Sequence, residues 1–221
     1  MTWVRPSAVC MVACFAAPAF AVTSWSTPSG SSDTVTYSEG QSANGLFGSP
    51  TVGDDKFLFF PNNFTAESGA EQSTDTASFL VTAKNGRNIN RVSAGLSGDW
   101  SILGDGATDA FGTLTLTNPL TSAMITRTFS FTGDFANADG EGTFGDTVIT
   151  LPLGWKSARV SLAAGLTATA EDGSTSFVQF KNANVGVETV QGAAVPLPGA
   201  LLAAIPGVAV AYMARKRMRR S

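Results

Sequence analysis

Carboxylates are the side chains of this protein that could support chemistry, because histidine is missing and cysteine is scarce. The sequence contains no histidine, which removes Ser-His-Asp triads, Cys-His dyads and imidazole metal ligands. Both cysteines, Cys10 and Cys14, lie near the N-terminus. Sites built from imidazole or from a thiolate elsewhere in the chain are therefore excluded.

Paired carboxylates of the glycosidase type need one acid with a raised pKa beside one that stays ionised. The glutamates are the candidates for such a pair, and most of them have Gly, Ser or Asn neighbours typical of turns: Glu39, Glu67, Glu71, Glu141, Glu171 and Glu188. Nothing in their spacing singles out a pair. We therefore expect no enzymatic activity and no cofactor other than calcium.

Calcium binding needs only oxygen ligands, and one acidic stretch could supply them. The candidate ligands are Asp134, Asn137, Asp139, Glu141 and Asp146. The stretch is not an EF-hand, because Phe135 would fall at the first ligand position and no helices are predicted beside it. A looser oxygen cage remains a hypothesis beside ordinary turn formation by Asp, Asn and Gly.

Aromatic rings offer a second route to binding, because exposed coplanar rings can stack on sugars. The candidate rings are Trp25, Trp100 and Trp155, together with the run 57–60. The alternative is that Phe57, Phe59 and Phe60 fill an apolar core, as a chain without disulfides requires. The sequence favours the core for these phenylalanines and leaves a lectin-like face open.

The segment between residues 22 and 190 has the pattern of an all-β domain. Polar and apolar residues alternate repeatedly, as in Thr76–Ala83, and no sustained 3.6-residue apolar period occurs there. Clusters of Gly, Asn and Asp predict turns, for example at Ser97–Asp99 and Asp139–Gly140. These turns would separate about ten to twelve short strands. The expected fold is an antiparallel β-sandwich, jelly-roll-like in size.

The N-terminal 21 residues have the features of a secretory signal peptide. Arg5 provides the positive region, an apolar run follows, and Ala19 and Ala21 form an A-x-A cleavage site. A lipoprotein signal with Cys14 as the lipidated residue is the alternative. Such a signal peptide would direct the chain to the Sec export machinery, and cleavage after Ala21 would remove both cysteines.

The C-terminal 27 residues combine three features in order: a short proline motif, an apolar run and a basic tail. The motif is Val195, Pro196, Leu197 and Pro198, after a linker at 191–194. Residues 199–214 predict a single transmembrane helix, and five cations follow as a stop-transfer signal: Arg215, Lys216, Arg217, Arg219 and Arg220. A plain tail anchor and a packed core helix are the alternatives for this run.

This order of features resembles the PEP-CTERM class of bacterial sorting signals, in its Val-Pro-Leu-Pro-Ala variant. Val195 to Pro198 match the variant residue by residue, whereas Gly199 stands at its alanine. The resemblance implies recognition by an exosortase-type membrane protease in a Gram-negative bacterium. It further implies export across the inner membrane, transient anchoring, and a final place at the cell surface or in the extracellular matrix.

These expectations combine into an exported, non-enzymatic surface or matrix protein associated with exopolysaccharide and biofilm. The alternative is a carbohydrate- or calcium-binding module held by a simple C-terminal anchor. Residues 22–194 carry 17 acids and 8 bases, a net charge of −9. We therefore expect no nucleic-acid partner, because a domain with that charge would repel nucleic acid in the absence of divalent cations.

Overall fold

The computed structural model describes residues 22–69, 72–133 and 139–192, and within them it contains β-strands and connecting turns. The strands are β1 Thr23–Ser24, β2 Gly30–Ser31, β3 Val35–Ser42, β4 Thr51–Gly53, β5 Lys56–Phe59, β6 Thr65–Glu67, β7 Ser73–Ala83, β8 Arg87–Leu103, β9 Gly106–Thr117, β10 Met124–Gly133, β11 Asp139–Trp155, β12 Ser157–Ala170 and β13 Thr175–Gln191. Alternating side chains explain the assignment in strands such as β7 and β12, where every second residue along much of the strand is buried. The predicted all-β class is confirmed.

The strands form two antiparallel sheets. The seven-stranded sheet has the order β1-β3-β7-β12-β9-β10, with β2 on β3, and the six-stranded sheet has the order β11-β8-β13-β5-β4, with β6 on β13. From β7 onward, consecutive strands lie in alternate sheets, except for β9 and β10, which form a hairpin within one sheet. The result is a sandwich of jelly-roll type, as the turn spacing predicted.

A continuous series of aromatic contacts fills the space between the sheets. It runs from Tyr37 through Phe57 and Phe79, whose ring centroids lie 4.3 Å apart, to Trp25. It continues through Phe59, Phe47 and Phe64, and reaches Phe180, Phe144, Phe131 and Trp100. Tilted and edge-to-face ring pairs of this kind add to the stabilisation from burial alone. They give the described domain a core without any disulfide.

Two buried carboxylates fix loops against this core. Asp75 is only 3% exposed, and its side chain accepts hydrogen bonds from the Ser42 hydroxyl and from the backbone N–H groups of Asn44, Phe47 and Thr76. These bonds hold the loop after β3, which carries the Phe47 ring into the core. Burial of an ionised carboxylate costs free energy, and hydrogen bonds such as these offset that cost.

Asp55 performs a similar role where β4 and β5 meet the start of β3. Burial raises its pKa, but hydrogen bonds from the Thr34 hydroxyl and N–H, together with Ser32, outweigh burial, and the pKa is lowered overall. The Thr34 hydroxyl also accepts a 2.7 Å hydrogen bond from Thr189, which in turn accepts one from the Arg87 guanidinium. This network connects the two sheets.

Several predicted strand boundaries are wrong. The predicted turn at Ser97–Asp99 lies inside β8, and the predicted turn at Asp139–Gly140 lies inside β11. The chain on both sides of the predicted Ser97–Asp99 turn forms one continuous strand, and β8, β11 and β13 each reach 17 residues. Glycine weakened the local strand pattern, but pairing on both sides of β8 overrides that weak preference.

The predicted signal peptide, sorting motif, apolar run and basic tail lie outside the described residues. The last strand includes Gln191, the first residue of the predicted linker. Within the ranges given above, no helix is long and apolar enough to cross a membrane.

Candidate functional site: a polar cleft between two bulges

Two β-bulges lie at the same level of the six-stranded sheet, on either side of β8. On β11 the bulge falls between Thr143 and Gly145, and on β13 it falls between Phe180 and Asn182. Both bulged strands pair with Ser97 at this level. A bulge bends its strand and increases the local twist. Bulges on both neighbours therefore curve the outer face of the sheet around β8.

The curvature produces a polar cleft of about 330 Å³. We call it the twin-bulge cleft, and its walls carry Ser97, Gly98, Glu141, Thr143, Lys181 and Asn182, with Gly142 beside them. Two hydroxyls, an amide, a carboxylate and an ammonium group thus face one small volume. This set provides both hydrogen-bond donors and acceptors.

Asp99 organises the charged wall of the cleft from the middle of β8. Its carboxylate accepts hydrogen bonds of 3.0 and 3.1 Å from the Gln179 amide, and it forms a 2.9 Å ion pair with Lys181. Lys181 is the extra residue of the β13 bulge, so the bulge itself aims the ammonium group at Asp99. Glu141 lies directly across from Asp99 on β11. Asp99 thereby fixes Lys181 and Gln179 and leaves Glu141 exposed as an acceptor.

Gly98 is required at the floor of the cleft. A Cβ atom added there would lie 1.8 Å from the Gln179 carbonyl oxygen and 2.7 Å from the Phe144 ring. Phe144 is the extra residue of the β11 bulge, and its ring packs into the core against Phe180. The bulge therefore buries a ring on one side of the sheet while it opens the cleft on the other.

The calcium ligands predicted from the sequence do not form one cluster within the described residues. Asp134 and Asn137 lie outside them. Asp139, Glu141 and Asp146 follow one extended strand and pair with Ser101, Asp99 and Gly95. At about 3.3 Å per residue, Asp139 and Asp146 lie roughly 20 Å apart. In the part of the chain that is described, no three His, Cys, Asp or Glu residues are grouped to hold a metal ion. Calcium binding stays a prediction.

The aromatic residues predicted as sugar platforms lie away from the cleft. Trp25 is buried in the core, and Trp100 and Trp155 pack against it. Phe57 and Phe59 are buried as predicted, but the prediction for Phe60 is wrong, because 56% of its surface is exposed. The strand alternation ends after Phe59, where β5 ends.

The cleft residues Ser97, Asp99, Lys181 and Asn182 were missed by sequence reasoning. Ser97 and Asp99 were assigned to a turn, and Lys181 and Asn182 are neighbours that both lie on the surface. One signal was available: strict alternation breaks between Phe180 and Ala183, where two polar residues separate two buried ones. A break of that kind indicates a bulge. Sequence could not show that a second bulge lies opposite it.

No protein-family model matches the sequence, and no curated protein matches it significantly. Among solved structures, the chain is similar to a structure of infectious bursal disease virus, Gt strain, with 16% identity and a TM-score of 0.38. That match covers 64% of this chain and 34% of the viral chain.

Two further similar structures are complexes with oligosaccharides. One is TmCBM61 in complex with beta-1,4-galactotriose, with 12% identity, a TM-score of 0.25, and coverage of 68% of this chain and 81% of the module. The other is the CBM22-1-GH10 part of a Clostridium thermocellum xylanase with xylohexaose, with 13% identity, a TM-score of 0.28, and coverage of 66% and 27%. This chain thus spans about a third of the viral chain and about a quarter of the xylanase chain. With TM-scores below 0.5, none of these similarities indicates what the chain binds.

Proposed function

We propose that this chain is an exported, non-catalytic surface or matrix protein whose twin-bulge cleft binds a neutral polysaccharide. The observation that supports this proposal is the convergence of hydroxyl, amide, carboxylate and ammonium groups in one open cleft. Sites for small polar ligands combine a few fixed polar groups with a concave surface. Here Asp99 fixes one of these groups, the Lys181 ammonium, before any ligand arrives.

A neutral sugar fits the charges of the cleft better than an acidic one. The Lys181 ammonium is neutralised by Asp99, and Glu141 remains exposed across from the pair. A uronate or sulfate group would face that carboxylate, and like charges repel. A neutral sugar could instead donate its hydroxyls to Glu141 and accept from Asn182.

An apolar ring is available beside the polar groups. Phe177 is half-buried and lies two residues before Gln179 on the same face of β13. Alternate residues of a strand lie about 6.8 Å apart, which is near the length of one sugar ring. Aromatic side chains combine large apolar area with a defined orientation. Phe177 would contact a second sugar unit beyond the cleft.

The test is isothermal titration of the full-length chain with neutral galactan, xylan and glucan, with alginate as the acidic comparison. Thr143→Val keeps the side-chain shape and removes one hydroxyl, so affinity for a bound neutral glycan should fall about 3- to 10-fold. Thr128→Val is the matched control, because Thr128 is an exposed threonine on β10 in the other sheet. The proposal fails if alginate alone binds, or if both variants bind like the wild type.

We further propose that an exosortase-type membrane protease sorts the chain. The supporting observation is the order of the motif Val195–Pro198, the apolar run and the basic tail. Replacing Pro196 and Pro198 by Ala should leave export intact and block C-terminal processing, as measured by intact mass in membrane and extracellular fractions. A full-length C-terminus found only in membranes would instead indicate a simple anchor.

A further inference from the structure

Three basic side chains, those of Lys84, Arg87 and Lys156, lie at one end of the sandwich. We call it the exit end, because the turn 84–86, Lys156 and Gly192 meet there. The Gly192 N–H donates to the Gly86 carbonyl oxygen at 3.2 Å, and the Lys156 ammonium donates to the same oxygen at 3.0 Å. Since Gly192 is the last described residue, residues 193–221 continue the chain from this end.

Strand pairing divides the charged residues of the described ranges between two halves. Of the eight Lys and Arg residues, all but Lys181 lie in the half that contains the start of β8 at the exit end. Five carboxylates share this half: Asp33, Glu39, Asp54, Asp55 and Glu188. The other ten described carboxylates lie in the opposite half. The exit half is thus slightly cationic and the opposite half is strongly anionic.

Three cations at the exit end have only neutral acceptors among their described hydrogen bonds. Lys84 donates to Ser31 and Ser32, Arg87 donates to the hydroxyl and carbonyl of Thr189, and Lys156 donates to two carbonyl oxygens. Two other cations of this half are paired with carboxylates, in Arg91–Glu188 and Arg159–Glu39. Within the described residues, no hydrogen bond or ion pair joins Lys84, Arg87 or Lys156 to a carboxylate.

Exposed apolar side chains accompany this cluster. Leu120, at the tip of the β9–β10 hairpin, is 86% exposed, and Met124, at the start of β10, is 67% exposed. At the tip, the Asn118 side chain accepts a 2.9 Å hydrogen bond from the Leu120 N–H. Thr117 pairs with Arg159, the third residue of β12, so the tip reaches the level of Lys156. Apolar side chains beside lysines are typical of surfaces that enter the membrane interface.

From these observations we propose that the exit end is a docking face for an anionic lipid surface, with Leu120 and Met124 inserted among the headgroups. An acidic polysaccharide would satisfy the cations but would leave the two apolar side chains without a partner. The anionic half would be repelled by the same lipids, so charge fixes the orientation of the domain. Gly98 is 11 residues from Arg87 along β8, which would hold the twin-bulge cleft roughly 35 Å above the membrane.

The test uses the full-length chain with Cys10 and Cys14 replaced by Ser and an environment-sensitive fluorophore on Leu120→Cys. The chain is reconstituted into vesicles of phosphatidylcholine alone or of phosphatidylcholine with phosphatidylglycerol. The label should report an apolar environment only in the anionic vesicles, and added salt should reverse the change. A label on Asp172→Cys, in the turn at the opposite end, should not respond in either vesicle.

Charge variants separate docking from the effect of the C-terminal run, which they leave unchanged. Lys84→Gln with Lys156→Gln should lower the equilibrium constant for docking by roughly 30-fold, and Lys181→Gln should have little effect. Circular dichroism checks that the variants remain folded. The proposal is overturned if Leu120→Cys responds equally in both vesicles, if Lys181→Gln weakens docking as much, or if only soluble alginate changes the label. Thr143→Val should leave the label response intact, so failure of docking and failure of glycan binding are distinguishable.

Discussion

Replacing Asp75 by Asn provides a sharp test of how the loop after β3 is held. In the wild type, one carboxylate oxygen accepts from the N–H groups of Asn44 and Thr76, at 2.7 Å each. The other accepts from the Phe47 N–H at 2.9 Å and from the Ser42 hydroxyl. Asn has one acceptor oxygen instead of two, so the four donors can no longer all be satisfied.

The expected cost follows from the best orientation that the new amide can take. Its oxygen can keep Asn44 and Thr76, and its NH₂ can donate to the Ser42 hydroxyl, but the buried Phe47 N–H then faces another donor. An unsatisfied buried donor costs about 1–3 kcal/mol, and the two retained bonds lose their charge assistance, about 1 kcal/mol each. We expect a loss of about 3–5 kcal/mol, which is large against the roughly 5–15 kcal/mol that stabilises most domains.

Urea unfolding followed by intrinsic tryptophan fluorescence would measure this loss for Asp75→Asn. Asp109→Asn is the matched control, because Asp109 lies on β9 and receives only a long 3.4 Å contact from Thr167. The control should change the free energy of unfolding by no more than about 0.5 kcal/mol. A loss below about 1 kcal/mol for Asp75→Asn, with an unchanged m-value, would refute the reasoning.

Three further predictions concern the cleft, the buried network and the surface. Gly98→Ala should destabilise the domain by at least about 1–3 kcal/mol and weaken glycan binding, as measured by urea unfolding and titration, because its Cβ would overlap the Gln179 carbonyl. Asp55→Asn should destabilise the domain at neutral pH, because the lowered pKa of Asp55 stabilises the fold only while the carboxylate is ionised. The difference in stability between variant and wild type should therefore shrink as pH falls below about 3.8. A constant difference in thermal melts from neutral to acid pH would contradict this. Removing the exposed ion pair Arg91–Glu188 should change stability by less than about 1 kcal/mol in a double-mutant cycle, and a larger coupling would contradict its exposed position.

Alternation of polar and apolar residues reports only on neighbours along one strand, and this limits how much of the site the sequence could predict. Alternation identified Ala77, Phe79 and Val81 as one buried face, because that pattern depends only on neighbours along β7. It failed at Ser97–Asp99, where Gly98 resembles a turn residue by composition. The close approach of the Gln179 carbonyl requires glycine there, and Gln179 is 81 positions away along the chain.

The sequence by itself determined the β class and the absence of histidine chemistry. It also supplied the predictions for the two chain ends, because each depends on composition or on residues close along the chain. Only the tertiary structure placed the bulges of β11 and β13 opposite each other across Ser97, and only it gathered Lys84, Arg87 and Lys156 at one end. Strand pairing decides both arrangements, because it joins residues that lie tens of positions apart along the chain. The local sequence around each residue does not indicate which distant strand it pairs with.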